Sequence, residues 1–258
     1  MERPVRIAAA GDIHASEAHA ERLEQAFAGI EDSADLVLLA GDVTTHGAPA
    51  EARVLAAVCR GLGIPVYAVL GNHDYHANRV DEVTEALESG GIHVLQRDFT
   101  IREVNGVEVG IVGTKGFVGG FPGSTLPDFG EPLLRQVYDE TTQEANAIAR
   151  GLQEISHCPL RVVLLHYSPS EQTLVGEPRG ILTFLGSSRL ALPIAEHPPD
   201  LVLHGHAHAG SFEGRIGEVP VYNVAVHVTG RDFYVFDLRV TVQGPAEVEV
   251  EASPGELA

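Results

Sequence analysis

The 258-residue chain predicts an α/β fold built on a parallel sheet, and three features carry that prediction. Five apolar runs of strand length, Val5 to Ala10, Leu36 to Ala40, Pro65 to Leu70, Leu160 to Leu165 and Leu201 to Leu203, are nearly continuous, as strands buried on both faces are. Helical patterns separate the first three runs, and the resulting order βαβαβ gives parallel strands joined by right-handed crossovers. The segment Phe99 to Val112 alternates about Asn105-Gly106, a two-residue hairpin signal, so antiparallel strands join in and mixed sheets packed together are expected.

Taken in order, the first helical pattern covers Glu17 to Ile30 and the second covers Pro49 to Leu62, opened by a proline suited to a first turn. A third helix is expected near Asn78 to Ser89. The stretch from Gly113 to Gly130, rich in Gly, Pro and Phe, reads as a loop near the site, and a long helix follows at about Glu131 to Ser156. Short β-like runs come at Val219 to Val228 and Asp232 to Val240. Within residues 241–258, Ala246-Glu-Val-Glu-Val-Glu reads as an edge strand or a solvated acidic tail. No internal repeat or interdomain linker interrupts the pattern, so residues 1–258 are expected to form one domain.

Composition excludes several classes. With 17 basic against 36 acidic residues the net charge is −19, which repels polyanions and disfavours long nucleic acid as a partner. A small anionic substrate remains compatible if cations are concentrated locally. No run of about 18 apolar residues suits a membrane span. The N-terminal segment lacks a secretory h-region, so a cytoplasmic location is expected. Cys59 and Cys158 have no CxxC spacing and read as buried small hydrophobes.

Polar donors follow each of the five runs. Gly11-Asp12-Ile13-His14 follows the first, Gly41-Asp42 the second and Gly71-Asn72-His73-Asp74 the third; His166 ends the fourth, and His204-Gly205-His206-Ala207-His208 ends the fifth. Ligands of parallel sheets bind outside the carboxyl ends of the strands, so these residues should converge on one edge. Glycine lets the chain turn sharply and approach a bound group, while Asp, Asn and His supply the oxygen and nitrogen donors that divalent metals accept. Singly, each has a plain structural explanation: Asp12 or Asp42 can cap a helix, His73 and Asp74 can form a surface turn, and a lone His166 can be a satisfied structural histidine. Packing does not explain five in succession. His204 is read as a strand-end hydrogen-bonding residue outside the ligand set. Lys115, Arg179, Arg189, Tyr167 and His76 lie where they could reach a substrate phosphate, but none carries an assigned role.

These blocks resemble those of the calcineurin-like metallophosphoesterases, ordered D-x-H, G-D, G-N-H-D/E, a lone H and G-H-x-H. Here they are Asp12-Ile13-His14, Gly41-Asp42, Gly71-Asn72-His73-Asp74, His166 and Gly205-His206-Ala207-His208. The resemblance implies a four-layer α/β/β/α sandwich with two mixed β-sheets. It implies two divalent metal ions, of Mn, Fe or Zn, one held by Asp12, His14 and His208 and the other by Asn72, His166 and His206, with Asp42 bridging. It makes His73 the non-ligand catalytic histidine, with Asp74 orienting its imidazole. Many members carry a charged residue three positions after the second-block Asp, where this chain has Thr45, which leaves subfamily placement open.

The activity so implied is hydrolysis of phosphoesters, foremost small phosphodiesters, by a metal-bridging hydroxide. Phosphomonoesters and nucleotide pyrophosphates are the alternative substrates. A non-catalytic binding scaffold is a further alternative, which the complete ligand set and the presence of His73 disfavour. Two ions would set +4 against the −2 of Asp12 and Asp42, a positive spot in an acidic protein that attracts a small phosphoester.

Overall fold

The computed structural model describes residues 4–240 and 247–251. The first half of the chain runs β1 (Val5–Ala10), α1 (Ala20–Phe27), α2 (Ile30–Ser33), β2 (Leu36–Ala40), α3 (Pro49–Cys59), β3 (Val66–Val69), α4 (Val80–Glu88) and β4 (Ile92–Val94). Next come β5 (Asp98–Val104), β6 (Val107–Gly113), β7 (Gly120–Phe121), β8 (Ser124–Thr125), α5 (Pro132–Glu154) and β9 (Leu160–Leu164). The last stretch holds α6 (Leu182–Leu185), α7 (Ser188–Glu196), β10 (Leu201–His204), β11 (Glu213–Ile216), β12 (Val219–Asn223), α8 (Val226–Thr229), β13 (Tyr234–Arg239) and β14 (Glu247–Glu251).

The strands form two six-stranded sheets, ordered β14-β13-β1-β2-β3-β4 and β11-β12-β10-β9-β6-β5, with β7 and β8 as a separate hairpin. In the first, β1 to β4 are parallel and β13 and β14 antiparallel; in the second, β6, β9, β10 and β12 are parallel and the edge strands β5 and β11 antiparallel. Alternation of side chains sorts the apolar residues into layers. Ile7, Leu38 and Val69 of the first sheet meet Ile111, Val162 and Leu203 of the second in a central core. The other face of the first sheet, with Ala8, Leu39 and Ala68, packs on Leu23, Phe27, Leu55 and Leu87 of α1, α3 and α4. The outer face of the second, with Val112, Val163 and Val202, packs on Ile148 and Leu152 of α5 and on Leu190 and Ile194 of α7. These are the four layers α/β/β/α, and the near-continuous apolarity of the central runs follows from burial on both faces.

Several sequence expectations are corrected. The Glu17 to Ile30 helix is broken into a 3₁₀ turn at Glu17–His19 followed by α1 and α2. The Gly113 to Gly130 loop contains the β7-β8 hairpin, and the β-like run to Val228 stops at Asn223 and continues as α8. Residues Glu247–Glu251 of the acidic tail pair with β13 as an edge strand, while 241–246 and 252–258 lie outside the described residues. Both cysteines are free and buried, as expected. No helix among the described residues is long and apolar enough to cross a membrane.

Candidate metal centre

Parallel register aligns the strand ends: Ala10 lies beside Leu39, Ala40 beside Val69, and Leu164 beside Leu203. The residues following β1, β2 and β3 therefore emerge together, and those following β9 and β10 emerge together from the other sheet. Hydrogen bonds stitch the two groups into one site. Asp12 N donates to Gly41 O at 3.0 Å and Gly205 N to His166 O at 3.2 Å, each joining neighbouring strand ends. His206 N donates to both carboxylate oxygens of Asp12, at 3.1 and 2.9 Å, and so ties one sheet to the other.

The seven residues expected to hold metal meet here. Three triads of side-chain donors have their atoms within 4.8 Å of one another: Asp12, His14 and His208; His14, Asp42 and His73; Asp42, His166 and His206. Asn72 joins the last through its Oδ1, 2.9 Å from His166 Nε2, which also lies 3.3 Å from Asp42 Oδ1. His208 Nε2 is 2.9 Å from Asp12 Oδ1. His14 is shared by the first two triads and Asp42 by the last two, so the donors form one continuous chain.

Backbone carbonyls aim the rings. Ala40 O accepts from His166 Nδ1 at 3.0 Å, leaving Nε2 for Asn72 and Asp42. Phe184 O is 3.2 Å from His206 Nε2, leaving Nδ1 of that ring. Such partners fix which ring nitrogen is offered to a metal. The local backbone is bent to the same end: Asp12, His14, Asp42 and His206 have φ of 58°, 45°, 47° and 71°, in the left-handed region that non-glycine residues occupy at a cost of about 1–3 kcal/mol each. A Cβ on Gly41 would fall 2.4 Å from His166 Nδ1, so only glycine lets that ring reach the site.

The electrostatics suit cation binding. Burial alone would raise the Asp12 carboxyl, but the hydrogen bond and charge of His208, with help from His166 and the His206 N–H, bring it down to about 2. Burial, reinforced by His166, pushes His206 down to about 3, and burial lowers His14 against the pull of Asp42 and Asp12. His208 alone moves up, through its hydrogen bond to Asp12. An ionised Asp12 beside neutral His14 and His206 has the protonation states that metal ligation needs. The buried Nδ1 of His14 has no hydrogen-bond partner, and a buried polar atom left so is costly unless something else binds there. Oxygen and imidazole donors without thiolate fit Mn, Fe or Zn.

His73 and Asp74 separate in role. The His73 side chain is 44% exposed, stands edge-on to His14 at 4.6 Å, and has its Nε2 3.9 Å from Asp42 Oδ2. Its Nδ1 lies 2.7 Å from Thr45 O, and its N–H donates to Asp42 Oδ1 at 2.8 Å. Asp74 does not orient this ring, contrary to the sequence expectation. Its buried carboxylate accepts from Val43 N, Thr44 N, Thr44 Oγ1 and Gly71 N at 3.2, 2.8, 2.5 and 2.7 Å, locking the β2 and β3 loops together. Burial pushes this carboxyl up to about 6, against the hydrogen bonds from Gly71 and Thr44.

The remaining candidates lie outside the three triads. His204 is fully buried between Gly205 O and Thr173 Oγ1, each 2.8 Å away, and burial brings it down to about 4. Lys115 Nζ donates to Gly116 O at 3.0 Å and sits 4.0 Å over the Phe117 ring, facing a polar cavity shared with Arg97, Glu140 and Glu144. Arg189 stacks on Tyr138 at 3.7 Å and donates to Tyr138 O, joining α7 to α5. Tyr167 is buried against His166 and His206. His76 faces His46 at 6.5 Å. Sequence reasoning missed His227 of α8, exposed and stacked on His208 at 4.2 Å, because its run Val224 to Val228 reads as a strand.

A family model described as calcineurin-like phosphoesterase matches residues 5–210. No curated protein matches the chain at a significant level. Among solved structures, the phosphopantetheinyl hydrolase of Mycobacterium tuberculosis aligns with a TM-score of 0.65 at 14% identity, over 99% of this chain and 100% of that one. A Staphylococcus aureus protein assigned as a 5'-nucleotidase aligns with a TM-score of 0.63 at 16% identity, over 99% of this chain and 56% of that one, so this chain spans little more than half its length. GAP50 of Plasmodium, described as an anchor in the inner membrane complex, aligns with a TM-score of 0.57 at 12% identity, over 98% of this chain and 90% of that one. At these identities the likeness is one of fold.

Proposed function

The chain belongs to the calcineurin-like phosphoesterase family and is a metal-dependent phosphoric ester hydrolase, and from that premise we propose that it cleaves small phosphodiesters at a centre of two divalent ions, Mn, Fe or Zn. We assign Asp12, His14 and His208 to one ion and Asn72, His166 and His206 to the other, with Asp42 shared, all within a single domain. The observation that carries this reading is the linked set of triads, in which Asp42 stands in reach of donors on both sides.

When bound, the ions supply Lewis-acid activation of water and neutralise charge on the phosphoryl oxygens. The protein's own residues do the rest. The carbonyls of Ala40 and Phe184 keep the His166 and His206 rings from rotating. Thr45 O holds His73 at Nδ1, so Nε2, 3.9 Å from Asp42 Oδ2, is the atom that carries a proton to the departing ester oxygen. Asp74 keeps the loops bearing Asp42 and His73 in register. With a net charge of −19 over the whole chain, attraction of a phosphoester to the site rests on the bound ions.

The test is hydrolysis of bis(p-nitrophenyl) phosphate and p-nitrophenyl phosphate by metal-stripped protein reloaded with Mn²⁺, Fe²⁺ or Zn²⁺. Faster metal-dependent turnover of the diester is expected. Faster monoester turnover overturns the diester preference, and two bound ions with no turnover of either ester overturns the small-ester reading.

A further inference from the structure

Beside the metal centre lies a cavity of about 140 Å³ that the chemistry above does not use. Asp12 and His14 form one end of it, so it opens from the place where the phosphoryl group would bind. Its inner wall is apolar: Leu23, Phe27 and Phe233 are 6%, 4% and 5% exposed, and Ala26 and Val226 complete it. Phe27 and Phe233 meet edge to face, with ring centroids 4.9 Å apart, a favoured aromatic arrangement. The polar residues that line it lie outward: His19 and His227 are exposed, and Arg22 pairs with Asp232 at 3.3 Å across side chains 60% and 25% exposed. Because that cation already faces an anion, the rim offers little to a second phosphate.

Resting on the phosphoesterase reading, we propose that this pocket receives the organic group of the ester and selects for a single apolar ring or a short branched chain. Size fits, since an apolar cavity of about 150 Å³ holds one benzene ring, and a nucleoside would extend beyond it. Chemistry points the same way, because the buried wall presents carbon to its occupant, and a nucleobase edge or sugar hydroxyl would lose its hydrogen bonds to water there without replacement. The pocket is thus the specificity determinant of the site, with Ala26, Val226, Phe27 and Phe233 among the residues that shape it.

Phenylphosphonate and methylphosphonate, which share the anionic head and differ only in the organic group, test this by calorimetric titration of the Mn²⁺-loaded protein. The wild-type protein should bind phenylphosphonate about ten- to a hundredfold more tightly, the worth of burying one ring. Ala26→Leu, at a half-buried helix position, adds three carbons to the cavity and should bring the ratio close to one; Val226→Phe, at a second lining position, should do the same. A ratio cancels any general change in metal occupancy. A wild-type ratio near one, or a ratio that neither variant alters, overturns the proposal. If nitrophenyl esters are hydrolysed but the ratio is near one, the pocket assignment fails and the phosphoesterase reading stands. If the ratio is large and no ester is cleaved with any metal, the phosphoesterase reading fails and the pocket remains.

Discussion

Gly71 separates crowding from backbone strain at the centre. Its φ is not in the left-handed region, so alanine is conformationally acceptable, yet a Cβ there would lie 2.1 Å from Asp42 Oδ1, 2.4 Å from Asp42 N and 2.7 Å from His166 Cε1. Relieving the first contact requires a shift of roughly 1 Å in a buried carboxylate whose neighbours are close-packed. Gly71→Ala should therefore cost about 1–3 kcal/mol of stability through overpacking and, because Asp42 is the shared donor, lower kcat/KM about a hundredfold. Gly61→Ala is the matched control: its φ is +97° and nothing lies within 4 Å of the added Cβ, so it carries a strain of about 1–2 kcal/mol and no contact with the site. Urea unfolding of the metal-free variants, Mn²⁺ titration and diester kinetics separate the effects. Equal loss of stability in both, with only Gly71→Ala losing metal and turnover, is expected. If Gly71→Ala binds Mn²⁺ and turns over as the wild type does, Asp42 is not fixed as described and its bridging role falls.

Other perturbations probe different links. His73→Ala removes one hydrogen bond from a ring that is 44% exposed, so stability should fall by only about 1 kcal/mol while kcat drops about 10² to 10⁴-fold with both ions retained; turnover at the wild-type rate, or loss of the ions by elemental analysis, contradicts its role. Chelation should lower the melting temperature, since ions at about a thousandfold excess over their Kd stabilise the fold by about 4 kcal/mol per site; an unchanged melting temperature after verified metal removal argues against a native centre. Far from the site, Asp35 accepts from Arg6 N at 2.8 Å and Arg6 Nη2 at 3.1 Å, and although burial opposes it, Arg6 holds this carboxyl below its usual 3.8. A depressed carboxyl stabilises above the unfolded value and loses that contribution as pH falls through the folded one. The unfolding free energies of wild type and Asp35→Asn from urea titration should thus differ at pH 7, by about 1 kcal/mol, and converge progressively as the pH falls below 4; a gap that widens on acidification would show the opposite sign.

The convergence of the candidate donors was legible because strand-end position, glycine and residue type coincide: Asp12, Asp42 and Asn72 each stand two or three residues past the end of a continuous apolar run. The layers were only partly legible. Nothing in the runs says that β1 to β3 belong to one sheet and β9 and β10 to another; that division follows from which faces meet in the central core. β4 is three residues long with His93 exposed, too short to show a period, and α7 carries Pro193, which argues against a helix although Ser187 caps its start by accepting from Arg189 N at 3.2 Å. At Val224 to Val228 the β-branched run favoured a strand, but Asn223 donates to Ala207 O at 2.8 Å and accepts from Ala225 N at 3.2 Å, turning the chain into α8. Tertiary contact overrides propensity there.

What no pattern of side chains could announce is the backbone's share of the centre. Ala40, Thr45 and Phe184 act through carbonyl groups that every residue possesses, so their identities carry no mark of the task. The four left-handed residues Asp12, His14, Asp42 and His206 are likewise invisible in composition, yet they turn the chain just beyond β1, β2 and β10. A donor placed directly on a strand would point along the pleat into a core layer or out of the sheet; a strained residue just beyond the strand end turns the same donor toward the edge where two sheets meet. After β1, β2 and β10 the separation between strand and ligand is therefore set by how sharply the chain must turn, and the local rule broken there marks where stability has been exchanged for position, whereas Asn72 after β3 reaches the edge with φ −66°.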